Sequence, residues 1–249
     1  METIVVKIGG VASDNLTKDF FKQVKKWKDT GKQVVIVHGG GYYITEMMNR
    51  LNIPVTIDNG LRVTTKQALK VTQMVLIGQV QPAITSVFQQ YGFSAIGLHA
   101  SCNDLIQGEF IDQEKLGYVG EVTKINSQVI EDVLASNYIP IITPLGMTIE
   151  GDWLNINADA AASKIAEALN AEELYLLTDV PGVKKDDQWL PKVSPKEIKV
   201  LKEEEIIIGG MIPKIESAMT AIFGGVGKVH ITNGIQRAGT VITKEEILV

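Results

Sequence analysis

A chain of 249 residues, 45% of them hydrophobic, can bury a full core in one or two closely joined domains. Its net charge of −5, without any long like-charge run, argues against a nucleic-acid-binding surface. A single cysteine, Cys102, excludes an internal disulfide, and no apolar run reaches the ~18 residues of a transmembrane helix, so a soluble cytoplasmic protein with no membrane partner is expected.

Residues 3–8 read as a strand that contains Lys7 and runs into Gly9-Gly10. Leu16 to Lys28 sets Phe20, Phe21, Val24 and Trp27 at helical spacing. Residues 33–38 are a second strand, rich in β-branched residues, and 42–51 a second helix. Between them stand Gly39, Gly40 and Gly41. Three adjacent glycines cost conformational entropy and add no packing. They suit a strand-to-helix turn where backbone approaches an anion closely. Asp58-Asn59-Gly60 marks a turn, and Arg62 just after it suits bidentate binding of a carboxylate.

Thr65 to Tyr91 reads as one helix that Pro82 can bend. Its apolar face, Ala68, Val71, Met74 and Val75, serves either the core or a dimer. Ser94 to Leu98 is a short strand, and residues 104–125 alternate like a β-hairpin patch. Ser127 to Leu134 is a helix and Ile139 to Thr143 a buried strand. Next comes Asn155-Ile156-Asn157-Ala158-Asp159, opening an Ala-rich helix over Asp159–Leu169. If extended, this stretch turns Asn155 and Asn157 to one side. A helix cap accounts for one of its three polar residues, not for all. Glu173–Thr178 is a strand, and Asp186-Asp187 tips a hairpin. Lys196–Glu204 and Lys214–Phe223 are helices, and Lys228–Thr232 and Thr240–Thr243 are strands. Strands alternating with helices predict an α/β fold with a mainly parallel sheet covered on both faces.

Familiar phosphate loops are missing. Gly227-Lys228 is followed by Val229, so there is no Walker A hydroxyl, and no G-x-G-x-x-G follows a strand. His38-Gly39-Gly40-Gly41 also fits an esterase oxyanion loop, but the required G-x-S-x-G elbow is absent. His38 and His99 lack the spacing of a zinc site. Two lysines break local rules. Pro213 suits a first helical position, which puts Lys214 in the first turn, where the helix dipole disfavours a cation. Lys7 sits inside an apolar strand. A bound phosphate would reverse both penalties, and rule-breaking residues are functional candidates. Asp159 could hold both ammonium groups in place.

These pieces together resemble the amino-acid kinase family, and within it the members that phosphorylate N-acetylglutamate. The stretches that carry the likeness are Lys7-Ile8-Gly9-Gly10, His38-Gly39-Gly40-Gly41, Asn59-Gly60-Leu61-Arg62-Val63-Thr64, Gly117-Tyr118-Val119-Gly120, Asn155 to Asp159, Thr178-Asp179-Val180-Pro181-Gly182-Val183 and Gly209-Gly210-Met211-Ile212-Pro213-Lys214. They span almost the whole chain.

The resemblance implies an open, mainly parallel sheet of about eight strands between helices. It implies a substrate-binding and dimerisation lobe over 1–172 and an ATP-binding lobe over 173–249, sharing one sheet. Lys7, Lys214 and Asp159 would be catalytic. Gly39, Gly40, Gly41, Arg62 and Asn155 would bind acetylglutamate. Gly9, Gly10, Thr178, Asp179, Val180, Pro181, Gly182, Val183, Lys184, Ile206, Ile207 and Ile208 would bind the nucleotide. ATP would carry Mg²⁺ on its phosphates, with no protein cage for the metal. The implied reaction belongs to arginine biosynthesis, and the implied assembly is a homodimer. Family members inhibited by arginine carry an extra N-terminal helix, whereas this chain opens on its first strand. The stretch from Asn233-Gly234 to Gly239-Thr240 is also shorter than the family's usual one. Weak arginine feedback is expected. Alternatives are a kinase for a related acidic amino acid or carrier-bound aminoadipate, and a non-catalytic regulatory module. Retention of Lys7, Asp159 and Lys214 argues against the last.

Overall fold

The computed structural model describes residues 1–9 and 16–244. Gly10, an expected nucleotide contact, lies outside them.

The first apolar run is β1 (Thr3–Ile8), buried throughout. Helix α1 (Lys18–Asp29) follows, capped by the Thr17 side chain, and buries the predicted Phe20, Phe21, Val24 and Trp27. Strand β2 (Gln33–His38) lies parallel to β1 and leads into α2 (Gly41–Arg50). Strands β3 (Ile57–Asp58) and β4 (Leu61–Arg62) form a hairpin. Its turn residues Asn59 and Gly60 both have positive φ, as an Asn-Gly hairpin turn demands.

Then come α3 (Lys66–Val75), a π-helical turn (Leu76–Val80) and α4 (Gln81–Gln90), in one uninterrupted helical run. Pro82 has no N–H to offer the preceding turn, and the wider turn just before it accommodates that loss. Of the two readings of the apolar face on α3, core or dimer, the structure shows the core. Ala68, Val71 and Val75 belong to the protein's own core, in one cluster with Ile36, Met48 and Phe88, while Met74 points outward.

The middle of the chain supplies β5 (Ala95–Leu98), β6 (Ile106–Phe110), α5 (Gln113–Leu116), β7 (Val119–Ile125), α6 (Ser127–Ala135) and β8 (Ile139–Ile142). Strands β9 (Leu145–Met147) and β10 (Trp153–Ile156) precede α7 (Ala158–Ala168) and β11 (Glu173–Leu177). The remaining elements are β12 (Lys184–Lys185), β13 (Gln188–Trp189), β14 (Lys192–Val193), α8 (Pro195–Glu203), α9 (Met211–Phe223), β15 (Lys228–Thr232) and β16 (Thr240–Ile242). Helix α9 starts two residues before Pro213, not at it, so Lys214 is its fourth residue. A proline is still tolerated there, because the first helical N–H groups have no intrahelical acceptor.

The main sheet has eight strands in the order β14-β16-β15-β11-β1-β2-β8-β5. Its pairings are parallel except for β15 with β16. The expected α/β architecture is present. Strands β6, β7, β9 and β10 close into a separate small barrel beside it.

Two apolar clusters cover the sheet's faces. Ile4, Val6 and Ile8 of β1 pack in the cluster that holds Phe20 and Val24. Val5 packs in the other, with Ala161, Ala162 and Ile165 of α7. The two-residue period of a strand therefore turns Lys7 to the α7 side. That alternation positions the site.

Candidate active site

A cavity of about 270 Å³ opens beyond the carboxyl ends of β1 and β2. Here the strand order reverses, with β2 on one side of β1 and β11 on the other, which is where open α/β sheets take ligands. Lys7, Gly9, Gly39, Gly40, Gly41, Arg62, Asn155 and Asp159 all line the cavity.

Asp159 sits in the first turn of α7, where the helix dipole favours a negative charge. Lys214 donates to its Oδ2 at 3.0 Å. Lys7 Nζ lies 2.8 Å from Oδ1, as an ion pair without hydrogen-bond alignment. Helix α9 is held against α7 by Ser163, whose hydroxyl donates to the Ser217 carbonyl at 2.8 Å, and this brings Lys214 within reach. Burial chiefly lowers the Lys7 ammonium below the ordinary lysine range; Lys214 adds to the shift and Asp159 opposes it. Burial would raise the Asp159 carboxyl, but the two ammonium groups together hold it below the ordinary range. Two cations against one anion leave a positive charge in a buried place. Such a centre is costly unless an anion joins it.

The three glycines differ in their reasons. A methyl group at Gly40 would overlap Leu76 Cδ2 from the π-helical turn, so Gly40 is required by packing. Gly41 has open space where a side chain would be, and Gly39 only ordinary contacts. The Gly39 N–H is already given to Ile8 O at 2.8 Å, so of the three glycines expected to bind substrate, Gly39 has no free backbone donor. The N–H groups of Gly40 and Gly41 have no acceptor among the described residues. They are unpaired amides at a helix start.

Arg62 projects from the β3–β4 hairpin. It donates to Thr45 Oγ1 at 2.7 Å and Gly41 O at 3.1 Å, and touches Met48 Sδ. No carboxylate pairs with it among the described residues. Burial lowers its pKa, so here too a positive charge is partly stripped of water. Across the cavity, the Asn155 amide donates to Thr64 Oγ1 at 3.0 Å. The Thr64 hydroxyl gives its proton to Arg62 O at 2.7 Å, so it can only accept from Asn155. That leaves Asn155 Oδ1 free. Asn157 is the helix cap, accepting from the N–H groups of Asp159 and Ala160. Gly117, at φ 69°, lets its chain lie against the Thr64 carbonyl, which a side chain would overlap. Thr45 carries no sequence signal. Thr64 and Gly117 are visible only inside the stretches that carry the family likeness.

The expected nucleotide segments lie apart from this cavity. None of Thr178–Lys184 or Ile206–Ile208 lines it. Gly182 packs on Thr240, and Val183 and Ile207 are core residues, whereas Asp179, Lys184 and Ile208 face solvent. An ion pair of 2.7 Å joins Lys185, the residue after the first segment, to Glu204, two residues before the second.

A family model described as "Amino acid kinase family" matches residues 2–233. The chain belongs to the amino acid kinase family. Among the curated relatives of this amino acid kinase is "Acetylglutamate kinase" of Listeria monocytogenes serotype 4b (strain F2365), 55% identical over 240 residues, or 96% of each chain. A protein of the same name from Leuconostoc citreum (strain KM20) is 45% identical over 96% of this chain and 98% of its own. Of solved structures, smu.665 from Streptococcus mutans UA159 superposes with a TM-score of 0.92 at 42% identity, covering 98% of this chain and 99% of that one. For this amino acid kinase, then, the likeness extends over the full fold, both the eight-stranded sheet and the parts that carry the cavity.

Proposed function

We propose that the chain transfers the γ-phosphoryl group of ATP to the side-chain carboxylate of N-acetyl-L-glutamate. The products are N-acetylglutamyl 5-phosphate and ADP, a step of arginine biosynthesis. The observation that carries this reading is that Lys7 and Asp159 share one cavity with Arg62, while Lys214, outside the cavity lining, reaches the same Asp159 carboxylate. The relatives named acetylglutamate kinase supply the substrate.

The chemistry needs no general base, because a carboxylate is ionised at neutral pH. One carboxylate oxygen forms a bond to the γ-phosphorus while the bond to the β–γ bridging oxygen breaks. That electron pair leaves on ADP, and no proton moves. Catalysis is then positioning and charge stabilisation. Lys7 and Lys214 neutralise the transferring group, and Asp159 fixes their spacing. The Gly40 and Gly41 amides donate to anionic oxygens. Arg62 takes the substrate's other carboxylate, and Asn155 Oδ1 accepts from its amide. Asp159 is engaged on both oxygens, and no cluster of three metal-binding side chains occurs among the described residues. Magnesium therefore suits a place on the nucleotide's phosphates.

The nucleotide, in this reading, runs along Thr178–Lys184 and Ile206–Ile208, with residues 1–172 as the substrate lobe and 173–249 as the nucleotide lobe. The Lys185–Glu204 ion pair, which joins residues flanking the two nucleotide segments, supports that placement. The reading extends to a cytoplasmic homodimer, which sedimentation equilibrium checks. The decisive assay offers ATP with acetylglutamate, glutamate, aspartate and aminoadipate, and traps acyl phosphate with hydroxylamine. Acetylglutamate should give most product. Equal or greater trapping with another acid would reassign the substrate, and none with any acid would leave a binding module.

A further inference from the structure

His38 is the last residue of β2, fully buried, and has no part in the mechanism above. Its Nδ1 lies 2.9 Å from Gly39 O, and its Nε2 lies 3.0 Å from Thr143 Oγ1. A carbonyl oxygen can only accept, so Nδ1 carries a hydrogen. Burial pushes the His38 pKa down to about 4, so the ring is neutral at neutral pH and Nε2 accepts. The Thr143 hydroxyl must then donate to Nε2. It receives in turn from Gln81 Nε2 at 2.6 Å. The two hydrogens of the Gln81 amide are shared among Thr143 Oγ1 and two backbone acceptors, Leu98 O at 2.7 Å and Ile141 O at 3.0 Å. Gly97 leaves room for it, since a methyl there would come 2.6 Å from Gln81 Oε1. Every donor in this buried chain meets an acceptor.

The chain ends on the peptide between Gly39 and Gly40. No peptide bond among the described residues is cis, so the Gly40 N–H points opposite to the carbonyl that His38 holds. A peptide between two glycines meets no Cβ barrier to turning over. Turned over, it would offer an oxygen to the cavity in place of a donor, against an anion. We propose that His38, oriented by Thr143 and Gln81, is a positioning residue that locks the Gly39–Gly40 peptide with its N–H toward the cavity, where it donates to the transferring phosphoryl group. This inference rests on the phosphotransfer reading above.

The test compares two replacements in the full chain. His38→Asn keeps an N–H donor at the δ position but leaves a void. His38→Gln fills more volume but has no donor there. His38→Gln should lower kcat by about 10²-fold, the usual effect of losing one oxyanion donor, with KM for both substrates changed by about threefold at most. His38→Asn should recover most of that loss. Thr143→Val, nearly isosteric, should lower kcat by about 10-fold and mix the ring tautomers in ¹⁵N spectra, whereas the parent shows the Nδ1–H form alone. His38→Gln as active as His38→Asn, an Nε2–H ring in the parent, or unchanged kcat in Thr143→Val would each overturn the proposal. Should His38→Gln fail to fold, Thr143→Val carries the comparison. The tautomer needs no substrate. A parent that does not phosphorylate acetylglutamate would therefore sink the functional reading, while the ring spectra and a crystal structure of His38→Gln, read for the Gly39–Gly40 peptide orientation, still decide the role of His38.

Discussion

Lys7 of β1 and Asp159 of α7 meet at 2.8 Å, both only 6% exposed. Buried ion pairs are poor stabilisers, because desolvating two charges offsets most of their attraction. Adding Lys214 leaves the group with a net positive charge, which makes it worse as a structural device and better as an anion site.

Lys7→Ala and Lys214→Ala should each lower kcat by about 10²-fold or more, since each ammonium acts mainly on charge that develops in transfer. Initial-rate kinetics check this. Unchanged kcat with a raised KM would mean that the lysines only hold the ground state.

The rate should also fall at high pH earlier than an ordinary lysine would allow. Burial lowers the Lys7 pKa, so its charge is lost below the usual value near 10.4. Activity is therefore full on the acid side of that titration and declines as pH rises through it. In Lys7→Arg the decline should move to higher pH, whatever its residual rate. An identical alkaline limb in that variant would assign the titration to another group.

The neighbouring glycines should separate stability from activity. Gly40→Ala drives a methyl into Leu76, which is 1% exposed and has little room to move, and should cost about 1–3 kcal/mol of stability. Gly41→Ala meets nothing and should stay within about 0.5 kcal/mol of the parent, yet slow turnover by narrowing the cavity. Urea unfolding alongside kinetics tests both. Equal destabilisation by the two would contradict the packing argument.

Arg62→Lys should raise KM for acetylglutamate by about 10-fold or more, because an ammonium cannot reproduce the fork that grips a carboxylate. KM for ATP should change little. A matching rise for ATP would place Arg62 on the nucleotide instead.

Far from the cavity, Glu173 is held down to about 2, chiefly by the His230 ring 3.1 Å away; a Tyr175 hydroxyl donating at 2.6 Å adds to this and burial opposes it. The folded value lies below the unfolded one, near 4.3. The ionised group thus stabilises the fold above about pH 4, and that contribution is lost as pH falls towards 2. Glu173→Gln should be less stable than the parent at pH 7, with the gap closing on acidification. Urea midpoints between pH 7 and 3 measure it; a gap constant with pH would point to packing rather than charge.

Much of the fold was legible because its signals are local. Strands β1 and β2 are continuous apolar runs, and α1 shows its buried face in four residues. Strands β9 and β10, of three and four residues, lack the Ile-rich run that marks β8, and they exist through pairings with each other and with β6 and β7. The start of α9 was displaced because Pro213 follows the first helical position as a preference, while Met211 and Ile212 had no local marker. The α3 face stayed open between core and dimer because an apolar stripe looks the same whether the protein's own core or a second protomer covers it.

By itself the sequence determined which residues are anomalous: Lys7 in an apolar strand, Lys214 near a helix start, three glycines in a row. It also determined the strands and helices that carry them, since backbone sterics and burial period act over a few neighbours. Only the tertiary structure decided what the anomalies do to one another. Strand order sets β1 beside β2 and β11, the pleat turns Lys7 toward α7, and the packing of α7 on α9 brings Lys214 to the same carboxylate. It also separated Gly40, needed for contact with Leu76, from Gly41, which faces open space. Coulomb forces and hard-sphere contact act through distance in space, and a linear pattern does not contain those distances.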